Sequence, residues 1–304
     1  MRKTFGFITD LHLTCKSPKA IGYPDFLGWQ LELLDKVLDI YQVQGIHEIL
    51  LGGDIFHKYT ELQSEDINRV AECFEKRNDM LFYTIYGNHD LKGDSVDPKE
   101  LKKTSLGVLL KVCENLFCLE SCYASNYSVK GISWNTELFH RFMGNDVTLP
   151  YSDIYLVHAP VTKDGKYSVS LNMFNYNQNN MRLVLLGDQH GGIRPTTHNG
   201  VVYYNPGAFG KLAVSDDLNL IVPIISLDPT IEIEEIDLPV QLSFDNYIKK
   251  PKKTKIIKSL SSMLDTIENI SDEERVKAVG IKEGFDPCYI QKTLDYMNIG
   301  SGTK

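Results

Sequence analysis

Residues 183–194 read LVLLGDQHGGIR, an apolar run that stops abruptly at Gly187, Asp188, Gln189 and His190. A run of that length ending at glycine reads as a buried strand. The carboxylate and imidazole directly behind it are either a polar turn or part of a metal-binding cluster, and the choice rests on whether other strands end the same way. Short apolar runs rich in aromatic or branched residues recur at 5–9 (FGFIT), 48–51 (EILL), 81–86 (LFYTIY), 154–157 (IYLV) and 201–204 (VVYY). Helical patterns lie between the early ones. WQLELLDKVLDIYQ places Trp29, Leu33, Leu34, Val37, Leu38 and Tyr41 on one face, and LQSEDINRVAECFEKR follows the second run. Strand alternating with helix predicts a layered α/β domain with at least one largely parallel sheet. LNLIVPIISL, interrupted by Pro223, and IEIEEIDLP read as later antiparallel or edge strands that close the domain.

Polar clusters do follow the other strands. Asp10 and His12 come after the first, Asp54 and His57 (GGDIFH) after the second, Asn88, His89 and Asp90 (GNHD) after the third, and His158 after the fourth, before Asp188 and His190. Ligands of open α/β sheets bind outside the carboxyl ends of the strands, so these residues converge on one crevice. Five of the eight histidines fall in these clusters, which argues against scattered polar turns. Aspartate, histidine and asparagine form a hard-to-borderline donor set suited to manganese, iron, zinc or magnesium. Such a set can hold two dications ~3.5–4 Å apart, an arrangement that stabilises the attacking and leaving oxygens of an in-line phosphoryl displacement.

D-x-H, G-D-x-x-H, G-N-H-D, a lone histidine after a strand and G-x-x-H, in that order, resemble the calcineurin-like metallophosphoesterase superfamily over residues 5 to about 235. The resemblance implies two packed mixed sheets flanked by helices and two divalent metal ions. It places Asp10, His12 and His190 on one ion, Asn88, His158 and Asp188 on the other, Asp54 between them, and His89 at the leaving oxygen as general acid or transition-state stabiliser. Within the superfamily the chain resembles the SbcD-type nuclease subunits of DNA repair and recombination complexes, especially compact phage versions. GDIFH carries the additional histidine, His57, that those nucleases place near the scissile phosphate, and YYNPGAFG (203–210) stands where they have a proline-glycine-small segment. A surface or outer-sphere role for His57 is the alternative. The sequence departs from the family at Asp188, where the usual G-H-x-H motif has histidine. A carboxylate there suits manganese, with magnesium second, over zinc, and its charge makes the water between the ions harder to ionise. The competing reading is a weakened second metal site in a protein kept for binding.

The implied activity is hydrolysis of DNA phosphodiester bonds, with DNA, an SbcC-type SMC-like ATPase and a second copy of the chain as partners. A phosphomonoesterase or cyclic-nucleotide phosphodiesterase, or a non-catalytic scaffold, are the rivals on the same fold. A net charge of −8 over 304 residues argues against a broad basic face that binds duplex DNA unaided. The local exception is the cluster of Lys249, Lys250, Lys252 and Lys253, continued by Lys255 and Lys258, which is either a solvated linker or a phosphate contact. Six cysteines, mostly within apolar runs, read as reduced thiols, with Cys113, Cys118 and Cys122 lacking zinc-ligand spacing and read as small buried hydrophobes; no apolar segment reaches the ~20 residues that span a bilayer, which together predict an intracellular, cytoplasmic protein. The domain reading is a nuclease domain over 1–240, a lysine-rich linker over 241–254 and a helical module over 255–304. In that module Ile256, Leu260, Met263, Leu264 and Ile267 form an apolar stripe, S-x-x-E at 271–274 has the form of a capping box, and Asp286-Pro287 starts a helix. The resemblance makes the stripe a docking face for the ATPase; a helical cap on its own domain is the alternative.

Overall fold

A computed structural model describes residues 4–18, 23–119, 121–124, 127–144, 149–162, 169–171, 181–210 and 219–239. The lysine cluster, the apolar stripe from Ile256 to Ile267 and the expected helical module lie outside the described residues, as does the boundary expected at residue 240.

Two six-stranded mixed sheets form the frame. The first is built on β1 (Thr4–Ile8), β2 (Glu48–Leu51), β3 (Leu81–Thr84) and β4 (Leu116–Cys118), all parallel, and closes with the antiparallel β13 (Asn219–Ser226) and β14 (Glu232–Pro239) in the order β14-β13-β1-β2-β3-β4. The second runs β11-β12-β10-β7-β6-β5. Its parallel strands are β6 (Tyr127–Ile132), β7 (Ile154–His158), β10 (Leu183–Gly187) and β12 (Val201–Asn205), with β5 (Ser121–Ala124) and β11 (Ile193–His198) antiparallel at its edges. Two short strands, β8 (Val161–Thr162) and β9 (Val169–Ser170), pair apart from both sheets. The layered mixed-sheet fold expected from the resemblance is therefore the fold found.

Strand alternation sorts the core into layers. Phe5, Phe7, Leu50, Ile154, Leu156, Leu183 and Leu185 turn inward and fill the space between the sheets. Their neighbours turn outward: Ile8, Ile49 and Leu51 pack against α1 (Phe26–Val43), α2 (Ser64–Glu75) and α4 (Ser105–Val112). Tyr155, Val157, Val184 and Leu186 face α5 (Glu137–Met143). Period-2 sequence buried on both faces explains why these runs are continuously apolar. The remaining helix among the described residues, α3 (Pro98–Leu101), is a single turn.

The helices start on side-chain caps: Asp25 accepts from the Gly28 N–H, Thr104 from that of Gly107 and Thr136 from that of Phe139, while Gln63 and Asp66 form a reciprocal box at α2. Trp29, expected on the buried face of α1, is only half-buried, and that face runs instead through Phe26, Leu27 and Gln30.

Pro223 sits within β13, one strand in from the edge, where it removes a backbone donor. The fully buried Tyr41 hydroxyl replaces the lost pairing: its one O–H is shared between the carbonyls of Pro223 (3.1 Å) and Phe7 (3.2 Å), and its oxygen accepts from the Phe7 N–H (3.2 Å). No helix among the described residues is long and apolar enough to cross a membrane.

Candidate metal centre

All eight parallel strands of the two sheets end on one side of their sheet, and five of those ends carry the polar clusters. Their loops require unusual backbone. Asp10 (φ 54°), His12 (φ 45°), Asp54 (φ 51°) and Asp188 (φ 78°) all occupy the left-handed region, which costs non-glycine residues of order 1–3 kcal/mol each and persists where surrounding structure enforces it. The surroundings here are backbone bonds between loops: Asp10 N–H to Gly53 C=O (3.2 Å), His12 N–H to Asp54 C=O (2.9 Å) and Gly210 N–H to Asp10 C=O (2.8 Å). Glycine is required where the two sheets' ends touch. A Cβ on Gly187 would lie 2.3 Å from the Gly52 carbonyl, and one on Gly53 (φ 88°) 2.7 Å from His158 Nδ1.

Asp10, His12, Asp54, Asn88, His158, Asp188 and His190, the residues expected at the metals, come together. The Nε2 atoms of His12 and His190 are 3.0 Å apart. Asp54 Oδ2 lies between the two halves, 3.6 Å from His12 Nε2 and 3.5 Å from His158 Nε2. His158 Nε2 is 3.0 Å from Asn88 Oδ1 and 3.8 Å from Asp188 Oδ1. Donor atoms of Asp10, His12 and His190, and separately of Asp10, Asp54 and His158, fall within 4.8 Å of one another. Donors ~2.1 Å from a common ion stand roughly 3–3.5 Å apart, so the geometry fits divalent cations. Ring orientation fits as well: His158 Nδ1 is 2.8 Å from the Gly52 carbonyl, so Nδ1 carries hydrogen and Nε2 faces the centre.

Protonation divides the centre. Burial would lower His158, but Asp54, Asp10 and Asp188 raise it to about 10. Burial would likewise raise Asp54, but His158, His12 and His89 pull it to about 2. Burial pushes Asp10 up to about 6, with His158 opposing and Asp54 adding to the rise, and burial also raises Asp188. His12 goes the other way: burial takes it down to about 3, Asp54 opposing and His190, His89 and His57 reinforcing. Buried carboxylates pushed up in this way mark a site short of positive charge.

The residues expected to be catalytic are adjacent. The rings of His57 and His89 stack at 5.4 Å, and both lie against His12, at 5.7 and 4.8 Å. His89 donates its N–H to Asp54 Oδ1 (2.9 Å), and its Nδ1 lies 2.7 Å from the His57 carbonyl, leaving Nε2 free. A third donor cluster, His12, His57 and His89, results. His57 is lowered by burial and by His89, and its Nδ1 is buried without a hydrogen-bond partner.

Sequence reasoning missed two groups that hold this arrangement. Asp90, wholly buried, accepts from Ile55 N–H (3.3 Å), Phe56 N–H (3.1 Å) and Gly87 N–H (3.1 Å), tying the Asp54 loop to the Asn88 loop. Its position in GNHD was the available signal. Thr9 donates to Asp10 Oδ2 (2.6 Å), and nothing in its context announces that.

The profile of the calcineurin-like phosphoesterases matches residues 3–222, well over half of the chain. The chain belongs to the calcineurin-like phosphoesterase family. Together with the donor clusters, membership supports a metal-dependent phosphoesterase. No curated protein matches the sequence of this phosphoesterase.

Proposed function

We propose that this phosphoesterase is a DNA nuclease that cleaves phosphodiester bonds with two divalent ions, manganese foremost and magnesium second, as the nuclease subunit of an SbcC-type ATPase complex and as a homodimer. The observation that carries the reading is His57: its ring stacks on His89 at the edge of the metal centre, where the resembled nucleases place a histidine near the scissile phosphate. Asp10, His12 and His190 would hold one ion, Asn88, His158 and Asp188 the other, and Asp54 both. Such ions, when bound, supply positive charge to the attacking and leaving oxygens. As water attacks phosphorus, losing a proton to solvent, and the P–O bond breaks, His89 acts as the imidazolium and donates its Nε2 proton to the leaving oxygen. The His57 carbonyl accepts the His89 Nδ1–H and so fixes the direction of the ring, and the His57 ring orients the phosphate. A cavity of about 320 Å³ beside His190, lined by Gly191, Arg194, Asn205, Pro206 and Gly207, adjoins the centre and would take the flanking part of the substrate.

A second reading, a small-molecule phosphodiesterase or phosphomonoesterase, is favoured by the net charge of −8, which does not attract polyanions. Cleavage of end-labelled single- and double-stranded DNA and of an aryl phosphodiester, by wild type and His89→Ala in Mn2+, Mg2+ and Zn2+, separates them. Mn2+-dependent DNA cleavage that disappears in His89→Ala is expected. Hydrolysis confined to the aryl substrate would transfer the protein to the second reading.

A further inference from the structure

The buried face of α1 is apolar along its length, with one exception: Gln30, in its middle, is fully buried. An amide removed from water destabilises the fold unless its groups are paired. Both of its ends are paired, and to one loop. Oε1 accepts the Thr14 N–H at 3.0 Å, and Nε2 donates to the His12 carbonyl at 3.0 Å, with Leu11 C=O at 3.5 Å. Exchanging amide oxygen and nitrogen would set carbonyl against carbonyl, so this orientation is the consistent one. The loop from Leu11 to Thr14 is thus clipped to α1 through a single side chain.

The clip matters because of how His12 is held. Histidines that bind metals are ordinarily oriented by a hydrogen bond from the other ring nitrogen. His158 has that bond through Gly52, and His89 has the same kind through His57. His12 does not: its Nδ1 is buried with no hydrogen-bond partner. With no such bond, its ring is placed by its backbone, which stands at φ 45°, and by the packed rings of His57, His89 and His190. That backbone is tied at both peptide groups, the N–H to Asp54 C=O at 2.9 Å and the carbonyl to Gln30.

We infer that Gln30 is a positioning residue of the metal centre, holding the left-handed His12 backbone so that Nε2 meets Asp10 and His190, and that it sets cation affinity at that half of the site. The inference rests on the reading that Asp10, His12 and His190 bind a divalent ion.

Calorimetric titration with Mn2+ of metal-stripped wild type, Gln30→Met, Gln30→Asn and Val37→Ala tests it. Gln30→Met keeps the volume and loses every bond to the loop; its Mn2+ affinity should fall about 10- to 100-fold, as for loss of outer-sphere partners elsewhere. Gln30→Asn keeps the amide one methylene short of His12 and should weaken binding less; it decides the matter if Gln30→Met does not fold. Val37→Ala truncates the same buried face away from the loop, and should lower the melting temperature with Mn2+ affinity unchanged. Wild-type affinity in the Gln30 variants, or equal weakening by Val37→Ala, would overturn the inference alone. Failure of the wild type to bind Mn2+ would overturn the metal centre, and this inference with it.

Discussion

His12 and His158 are both buried to within 1% of full exclusion and lie on either side of Asp54, yet their neighbours drive them in opposite directions. Three carboxylates around His158 overcome burial and raise it to about 10; burial takes His12 down to about 3, with three imidazoles reinforcing the fall. One half of the centre is acidic, supplied by the ends of the second sheet together with Asp54 and Asn88. The other is rich in imidazole, supplied mostly by the first sheet and completed by His190. The same fold thus offers a cation two different chemical environments a few ångströms apart. Carboxylate in place of histidine at Asp188 widens the contrast, because it adds charge to the half that is already acidic.

The largest effect should follow from removing the group the halves share. Asp54→Ala is expected to lower kcat on an aryl phosphodiester by at least about 10²–10³-fold, and a variant retaining a tenth of wild-type turnover would show that neither half depends on it. Asp188→His restores the ring the family usually has. It should move metal preference from Mn2+ toward Zn2+ by about tenfold or more, read as the ratio of activities in the two metals; an unchanged ratio would mean that the acidic half does not choose the ion.

The protonation contrast has its own test. A histidine whose folded pKa is raised stabilises the protein fully below its unfolded value, 6.5, and loses that contribution as pH rises through the folded value, about 10. Metal-free protein should therefore lose several degrees of melting temperature between pH 7 and pH 10, and His158→Gln should flatten that slope. A slope identical in wild type and variant would remove the His158–Asp54 pair as its source. Smallest in its effect on the centre is Tyr41→Phe, which leaves the gap opposite Pro223 unfilled. It should cost about 1–3 kcal/mol of stability in denaturant unfolding while leaving Mn2+ affinity intact; a change in affinity would tie the centre to the β1–β13 seam.

Much of this site was legible because parallel strands buried on both faces write themselves as unbroken apolar runs, and the residue after each run must emerge at the same edge. Asp10, Asp54, Asn88, His158 and Asp188 could be placed together without coordinates for that reason alone. β4, β5 and β6 escaped notice, since three- and four-residue strands such as LFC and SCYA, and a mixed one such as YSVKGI, have no comparable run. Gln30 was invisible inside an otherwise apolar helix face, and Asp90 was seen without a role.

The sequence by itself determined which residues end the strands, and hence the fold class and the donor set, because these depend on patterns a few residues long. Tertiary structure alone decided which histidine is raised and which lowered, and that Asp10, His12, Asp54 and Asp188 of the metal centre carry left-handed backbone. Those outcomes depend on distances between groups more than a hundred residues apart, such as His12 and His190 or Gly52 and His158, and electrostatic energy and desolvation follow distance in space.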